Sequence, residues 1–223
     1  MGNNQKKKNK TGLKTIAIHH GKSYADETGC VMPPIFATST FEHGNKANFD
    51  YTRSGNPNFS ILENVLKGIE NSNYCTVFNS GISAVTAIVS SLKSGDIILC
   101  ESNLYGCTIR MFEKIFRKFG IQTSYFDFTN KEYIQQISKV KPSLIWLESP
   151  TNPLLKILNL KEICSEANLR KIPVVVDNTF CTAVIQKPLE LGATLSLIST
   201  TKFINGHSDA LGGAVITNDE SWN

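Results

Sequence analysis

The sequence predicts an α/β fold, a mostly parallel central sheet with helices on both faces. Two observations carry this. From residue 59 onward, short apolar runs alternate with amphipathic stretches, the order expected of strands joined by crossover helices. The composition also supplies a real interior. Of the 223 residues 41% are hydrophobic and 19% charged, which rules out a disordered chain.

In chain order, residues 1–12 read as a disordered basic tail and residues 13–58 as an N-terminal arm. The stretch 29–58 is rich in Pro, Gly, Ser, Thr and Asn, and carries Pro33-Pro34 and Tyr51-Thr52-Arg53-Ser54-Gly55-Asn56-Pro57. An irregular segment of that length is expected to be functional or to dock on something. The large domain follows over 59–223. A helix is predicted over 59–69, where Ile61, Leu62, Val65, Leu66 and Ile69 form one stripe. A short strand at 76–78 precedes a helix carrying Ile82, Val85, Ile88 and Leu92. Strands at 96–100, 121–126 and 144–147 alternate with helices over 109–119, 131–140 and 160–171. Val174-Val175-Val176 is a strand ending on Asp177, and further strands are expected at 195–198 and 214–216.

The formal charge of +4 lies in the tail. Lys6, Lys7, Lys8 and Lys10 account for it, since 23 basic residues less these 4 leave 19 against 19 acidic ones. A neutral body gives no nucleic-acid surface. No stretch is long and apolar enough to span a membrane, and the polar N-terminus has no apolar segment behind it to make a secretory signal. The six cysteines form no C-x-x-C pair. Reduced cytoplasmic thiols are therefore expected.

In such sheets ligands bind beyond the carboxyl ends of the strands, so the residues just after each strand are the informative ones. Lys202 is a candidate nucleophile for a carbonyl if partly desolvated. Asp177 is a carboxylate at the end of an apolar run, costly unless paired. Ser80-Gly81 opens a helix whose free N–H groups suit an anion. Ser199 and Thr201 add hydroxyls, Tyr105 a flat ring, and Arg53 with Tyr51 a phosphate-binding pair in the arm. Singly, each has an ordinary explanation: a solvated lysine, a turn aspartate, a packed tyrosine, a surface arginine. Together they supply what a pyridoxal phosphate site requires. Other chemistries fit less well. No G-x-G-x-x-G or P-loop follows a strand, and the four histidines lack metal-ligand spacing.

The sequence resembles the Cys/Met-metabolism family of pyridoxal-phosphate enzymes, which includes cystathionine gamma-synthase, cystathionine gamma-lyase, methionine gamma-lyase and the O-acetylhomoserine sulfhydrylases. The likeness rests on Pro33-Pro34-Ile35 to Phe41, the Tyr51–Pro57 segment, Ser80-Gly81-Ile82-Ser83-Ala84, Leu104-Tyr105-Gly106, Glu148-Ser149-Pro150-Thr151-Asn152-Pro153, Asp177-Asn178-Thr179-Phe180, and the segment from Ser199 to Asp209. Cys107, Cys181 and Ala183 depart from the usual residues. The resemblance implies the large domain of a fold type I (aspartate-aminotransferase-like) transferase. Lys202 would hold the cofactor covalently and shuttle protons, Asp177 would pair with the pyridinium, and Tyr105 would stack on the ring and act with Lys202 as a catalytic residue in proton transfer. Gly81, Ile82, Ser199 and Thr201 would bind the phosphate. Tyr51 and Arg53 would reach the phosphate of a neighbouring subunit in a homo-oligomer, a dimer of active sites and by expectation a tetramer. Asn152 would lie near the cofactor hydroxyl or the substrate carboxylate. The implied reaction is γ-replacement on an activated homoserine by cysteine to give cystathionine. The alternatives are a γ-lyase or sulfhydrylase, and an inactive fragment that at most binds the cofactor. Family members are longer, so the small C-terminal domain is expected to be absent here, with a separate C-terminal half as one conceivable partner.

Overall fold

The computed structural model describes residues 11–21 and 29–222. Residues 1–10, where the lysine-rich tail was expected, and 22–28 lie outside them. Compactness divides the chain into two units, one ending at Ile69 and one beginning at Glu70.

The first unit opens with α1 (Leu13–His19), a helix the sequence reading did not predict. From residue 29 to residue 56 the described chain is irregular, held by side-chain hydrogen bonds and a few backbone ones. Thr40 and Tyr51 form a single antiparallel bridge. Phe36 N–H donates to Asn58 Oδ1 at 3.1 Å, and Asn58 Nδ2 donates back to the Phe36 carbonyl at 3.0 Å. Pro57 begins α2 (Pro57–Glu70), a position where its missing N–H costs nothing.

The second unit is a seven-stranded sheet in the order β1-β7-β6-β5-β4-β2-β3. Its strands are β1 (Tyr74–Phe78), β2 (Ile97–Glu101), β3 (Gln122–Phe126), β4 (Leu144–Glu148), β5 (Val174–Asp177), β6 (Leu195–Ile198) and β7 (Gly213–Thr217). β2, β3, β4, β5 and β6 pair in parallel, whereas β7 runs antiparallel to both β6 and β1. Only β7 is therefore reversed, and the carboxyl ends of the other six strands share one rim.

Successive residues of the central strands are buried on opposite faces. Ile98, Cys100, Leu144, Trp146 and Val175 pack with α3 (Gly81–Ser90) and α4 (Gly106–Lys114). Phe112 of α4 meets Trp146 edge-on at 5.2 Å. Leu99, Ile145, Leu147, Val174 and Val176 pack with α5 (Tyr133–Val140) and α6 (Leu160–Leu169). Burial on both faces is why these strands read as continuous apolar runs.

The helix expected over 109–119 is two pieces. α4 ends at Lys114, and a tighter turn over Phe116–Phe119 follows, closed by Gly120 at φ 84°. That turn seats Phe116 in the core and leaves Phe119 exposed. After β5 come a short helix, α7 (Thr182–Ile185), and a turn at Pro188–Leu191, both too brief to carry a periodic signal. Among the described residues no helix is long and apolar enough to cross a membrane. Among the described residues the cysteines form no disulfide.

Candidate functional site

A cavity of about 280 Å³ opens at the shared rim. Eight of the ten residues picked out from the sequence line it: Gly81, Ile82, Tyr105, Asn152, Asp177, Ser199, Thr201 and Lys202. The other two, Tyr51 and Arg53, belong to the first unit and line a hollow of their own with Phe36, Thr38 and Asn56. There the Arg53 guanidinium stands 5.0 Å from the Tyr51 ring centre, a cation–π distance.

At one end of the cavity lies the start of α3. Ser80 caps it, its Oγ accepting the Ser83 N–H at 3.2 Å. A Cβ added to Gly81 would fall 2.8 Å from the Ser199 Cβ and 2.9 Å from its Oγ. Glycine alone therefore lets the helix terminus approach the end of β6 so closely. The result is a short arc of backbone N–H groups and a serine hydroxyl suited to an anion. Thr201 fits that arc less well than expected. Its hydroxyl accepts the Gly212 N–H at 3.0 Å and donates to the Gly212 carbonyl at 3.2 Å, so it is committed to the β7 approach.

Asp177 stands at the end of β5 and is only 8% exposed. It accepts the Thr179 N–H at 3.0 Å and forms no ion pair among the described residues. Burial raises its pKa above the ordinary carboxylate value. Behind it, Asn178 and Gln186 brace the strand end. Asn178 Nδ2 donates to the Gln186 carbonyl at 2.8 Å, and Gln186 Nε2 reaches Asn178 Oδ1 and the Ser149 carbonyl, each at 2.9 Å.

Tyr105 precedes α4 and is 42% exposed. A side-chain hydrogen bond with Cys107, and then partial burial, raises its phenol above the usual value. Lys202 lies in the turn after β6, where the Gly206 N–H donates to its carbonyl at 2.8 Å. Its side chain lines the cavity and is exposed.

Glu148, which the sequence places at a strand end and in a family-like segment without a role, also lines the cavity. It closes the apolar run of β4 just as Asp177 closes that of β5, and the two are register partners. The same signal, an acid ending a buried strand, was present for both. Phe180 and Leu211 also line the cavity. The loop position of Leu211 carried no signal.

A mostly parallel sheet whose rim gathers a lysine, a buried carboxylate, an exposed ring and a helix terminus suited to an anion belongs to the class of α/β domains built to hold a ligand at their strand ends. Comparison with known proteins places it more narrowly. The family model for Cys/Met metabolism PLP-dependent enzymes matches residues 14–223, and the chain belongs to that family. It is 39% identical over 215 residues to a probable cystathionine gamma-synthase of Herpetosiphon aurantiacus, covering 95% of this chain and 67% of that protein. It is also 39% identical to a cystathionine beta-lyase of Lactococcus lactis subsp. cremoris, covering 93% of this chain and 56% of the relative. The crystal structure of metB from Corynebacterium glutamicum superposes with a TM-score of 0.91 at 36% identity, over 96% of this chain and 57% of that one. The chain thus spans about half to two thirds of the length of the proteins it matches.

Proposed function

We propose that the rim cavity holds pyridoxal phosphate and that the protein acts on a sulfur amino acid or its homoserine-derived precursor, replacing the γ substituent of an activated homoserine with cysteine to give cystathionine. The observation that carries this reading is the Asp177 carboxyl, buried and without a cationic partner among the described residues. Such a group is costly unless a positive charge meets it. A protonated pyridine nitrogen in the cavity would be that charge, and it would hold Asp177 ionised.

Pyridoxal phosphate, when bound, supplies an electron sink for bond breaking next to the substrate amine. The remaining work belongs to the chain. The N–H groups of Gly81 and Ile82 and the Ser199 hydroxyl would hold the phosphate. Tyr105 would cover one face of the ring, and Asn152 would lie beside its polar edge. Lys202 Nζ would hold the cofactor covalently, then take the substrate Cα proton and return it. Its exposed position suits a group that must swing between these duties. Tyr51 and Arg53 would serve the site of a neighbouring copy in a homo-oligomer, in a reduced, cytoplasmic setting.

Cleavage of cystathionine is the second reading, favoured by the beta-lyase relative at the same 39% identity. Purified protein supplied with pyridoxal phosphate, an acyl-homoserine and cysteine is expected to form cystathionine. Keto-acid release from cystathionine with no synthesis would make the lyase reading the right one. Neither activity, with cofactor bound, would overturn both.

A further inference from the structure

We infer that Glu148 is a positioning residue of the site, one side chain that holds both the Tyr105 platform and the Asn152 loop against the strand carrying Asp177. The inference deepens the pyridoxal phosphate reading and rests on it for its purpose, though not for its geometry.

Glu148 is the last residue of β4 and is 6% exposed. In the parallel register it lies beside Asp177, one strand spacing away, roughly 4.8 Å. Its Oε2 accepts the Tyr105 backbone N–H at 2.8 Å, and the Asn152 backbone N–H also favours its ionised form. Tyr105 has no side-chain cap of its own at the start of α4. Its carbonyl takes the Thr108 and Ile109 N–H groups at 2.9 and 3.2 Å. Glu148 therefore fixes the residue from which α4 springs and, through it, the direction of the Tyr105 ring.

Glu101, the acid that ends β2, shows what a purely internal version of this device looks like. It accepts the Asn103 N–H at 3.0 Å, the Ser102 hydroxyl at 2.9 Å and the Phe128 N–H at 2.9 Å, and it is not among the residues lining the cavity. Glu148 does the same for two loops whose side chains do line it. An acid here carries a cost that a packing residue would not. Burial, and then the neighbouring Asp177, push its pKa up to about 8. A glutamine keeps one acceptor oxygen for the Tyr105 N–H, and an alanine keeps none.

The test is single-residue amide exchange, followed by NMR, on wild type, Glu148→Gln and Glu148→Ala without added cofactor. Loss of the acceptor should speed exchange at Tyr105 and Asn152 by about ten-fold or more in the alanine variant, the worth of one buried hydrogen bond. The glutamine variant, which keeps one acceptor oxygen, should stay near wild type at Tyr105. Pyridoxal phosphate affinity should fall by a similar factor in alanine and be rescued by glutamine. Wild-type exchange at both amides in Glu148→Ala would overturn the inference. So would acceleration spread evenly along the sheet, since Glu148 would then act on stability alone. If wild type fails to bind pyridoxal phosphate, the cofactor reading falls while the exchange comparison still decides the role of Glu148.

Discussion

The Glu70→Gln substitution should flatten one component of the pH dependence of stability. Glu70, the last residue of α2, is 0% exposed. Its Oε1 accepts the Ser196 hydroxyl at a long 3.4 Å, and its Oε2 has no hydrogen-bond partner among the described residues. Burial is the main reason its pKa rises from 4.5 to about 7. A carboxyl raised in the folded state contributes stability that is complete below the unfolded value and is lost as pH climbs through the folded one. At 1.36 kcal/mol per pKa unit the full loss is about 3 kcal/mol. Between about pH 5 and about pH 8 it is roughly 2.5 kcal/mol. Glutamine is isosteric and does not titrate. Urea unfolding of both proteins at those two pH values should show the variant gaining that difference on wild type. Parallel stability curves would refute the burial argument.

Four further outcomes follow from the site. Asp177→Asn removes the charge that would face the ring nitrogen, and turnover should fall by about 10²-fold or more at unchanged fold, checked by steady-state kinetics beside circular dichroism. Gly81→Ala forces a Cβ to 2.8 Å from that of Ser199, so pyridoxal phosphate affinity, read by titration of the visible band, should drop more than for the neighbouring Ile82→Val. Ser199→Ala should weaken cofactor binding more than Thr201→Ala, because the Thr201 hydroxyl is committed to Gly212; the reverse order would remove Ser199 from the anion site. Mixing inactive Arg53→Ala with inactive Lys202→Ala protein should restore activity in hybrids if the arm serves a neighbouring copy, and should restore nothing if it does not.

Much of this was legible in the chain, for identifiable physical reasons. Strands buried on both faces announce themselves as apolar runs, so β4 and β5 were evident from Leu144 to Leu147 and from Val174 to Val176. The rim followed, since ligands gather at strand ends, and Lys202, Asp177 and Tyr105 do meet in one cavity. The reversal of β7 was not legible, because its short apolar stretch is the same read in either direction. Thr201 was counted as a phosphate donor because residue type does not reveal that a hydroxyl is already bonded to Gly212. Glu148 could be given no role from sequence because its partner, the Tyr105 N–H, is a backbone atom that every residue but proline possesses. The exposure of Lys202 depends on how the turn after β6 leaves the sheet, and no local pattern encodes that.

The most direct test of the central claim is borohydride reduction of the protein incubated with pyridoxal phosphate, followed by peptide mass mapping. The account predicts a visible band near ~420 nm that is bleached by reduction, a single pyridoxyl adduct on Lys202, and loss of both in Lys202→Ala. A band that survives in Lys202→Ala, or an adduct mapped to another lysine, would contradict it.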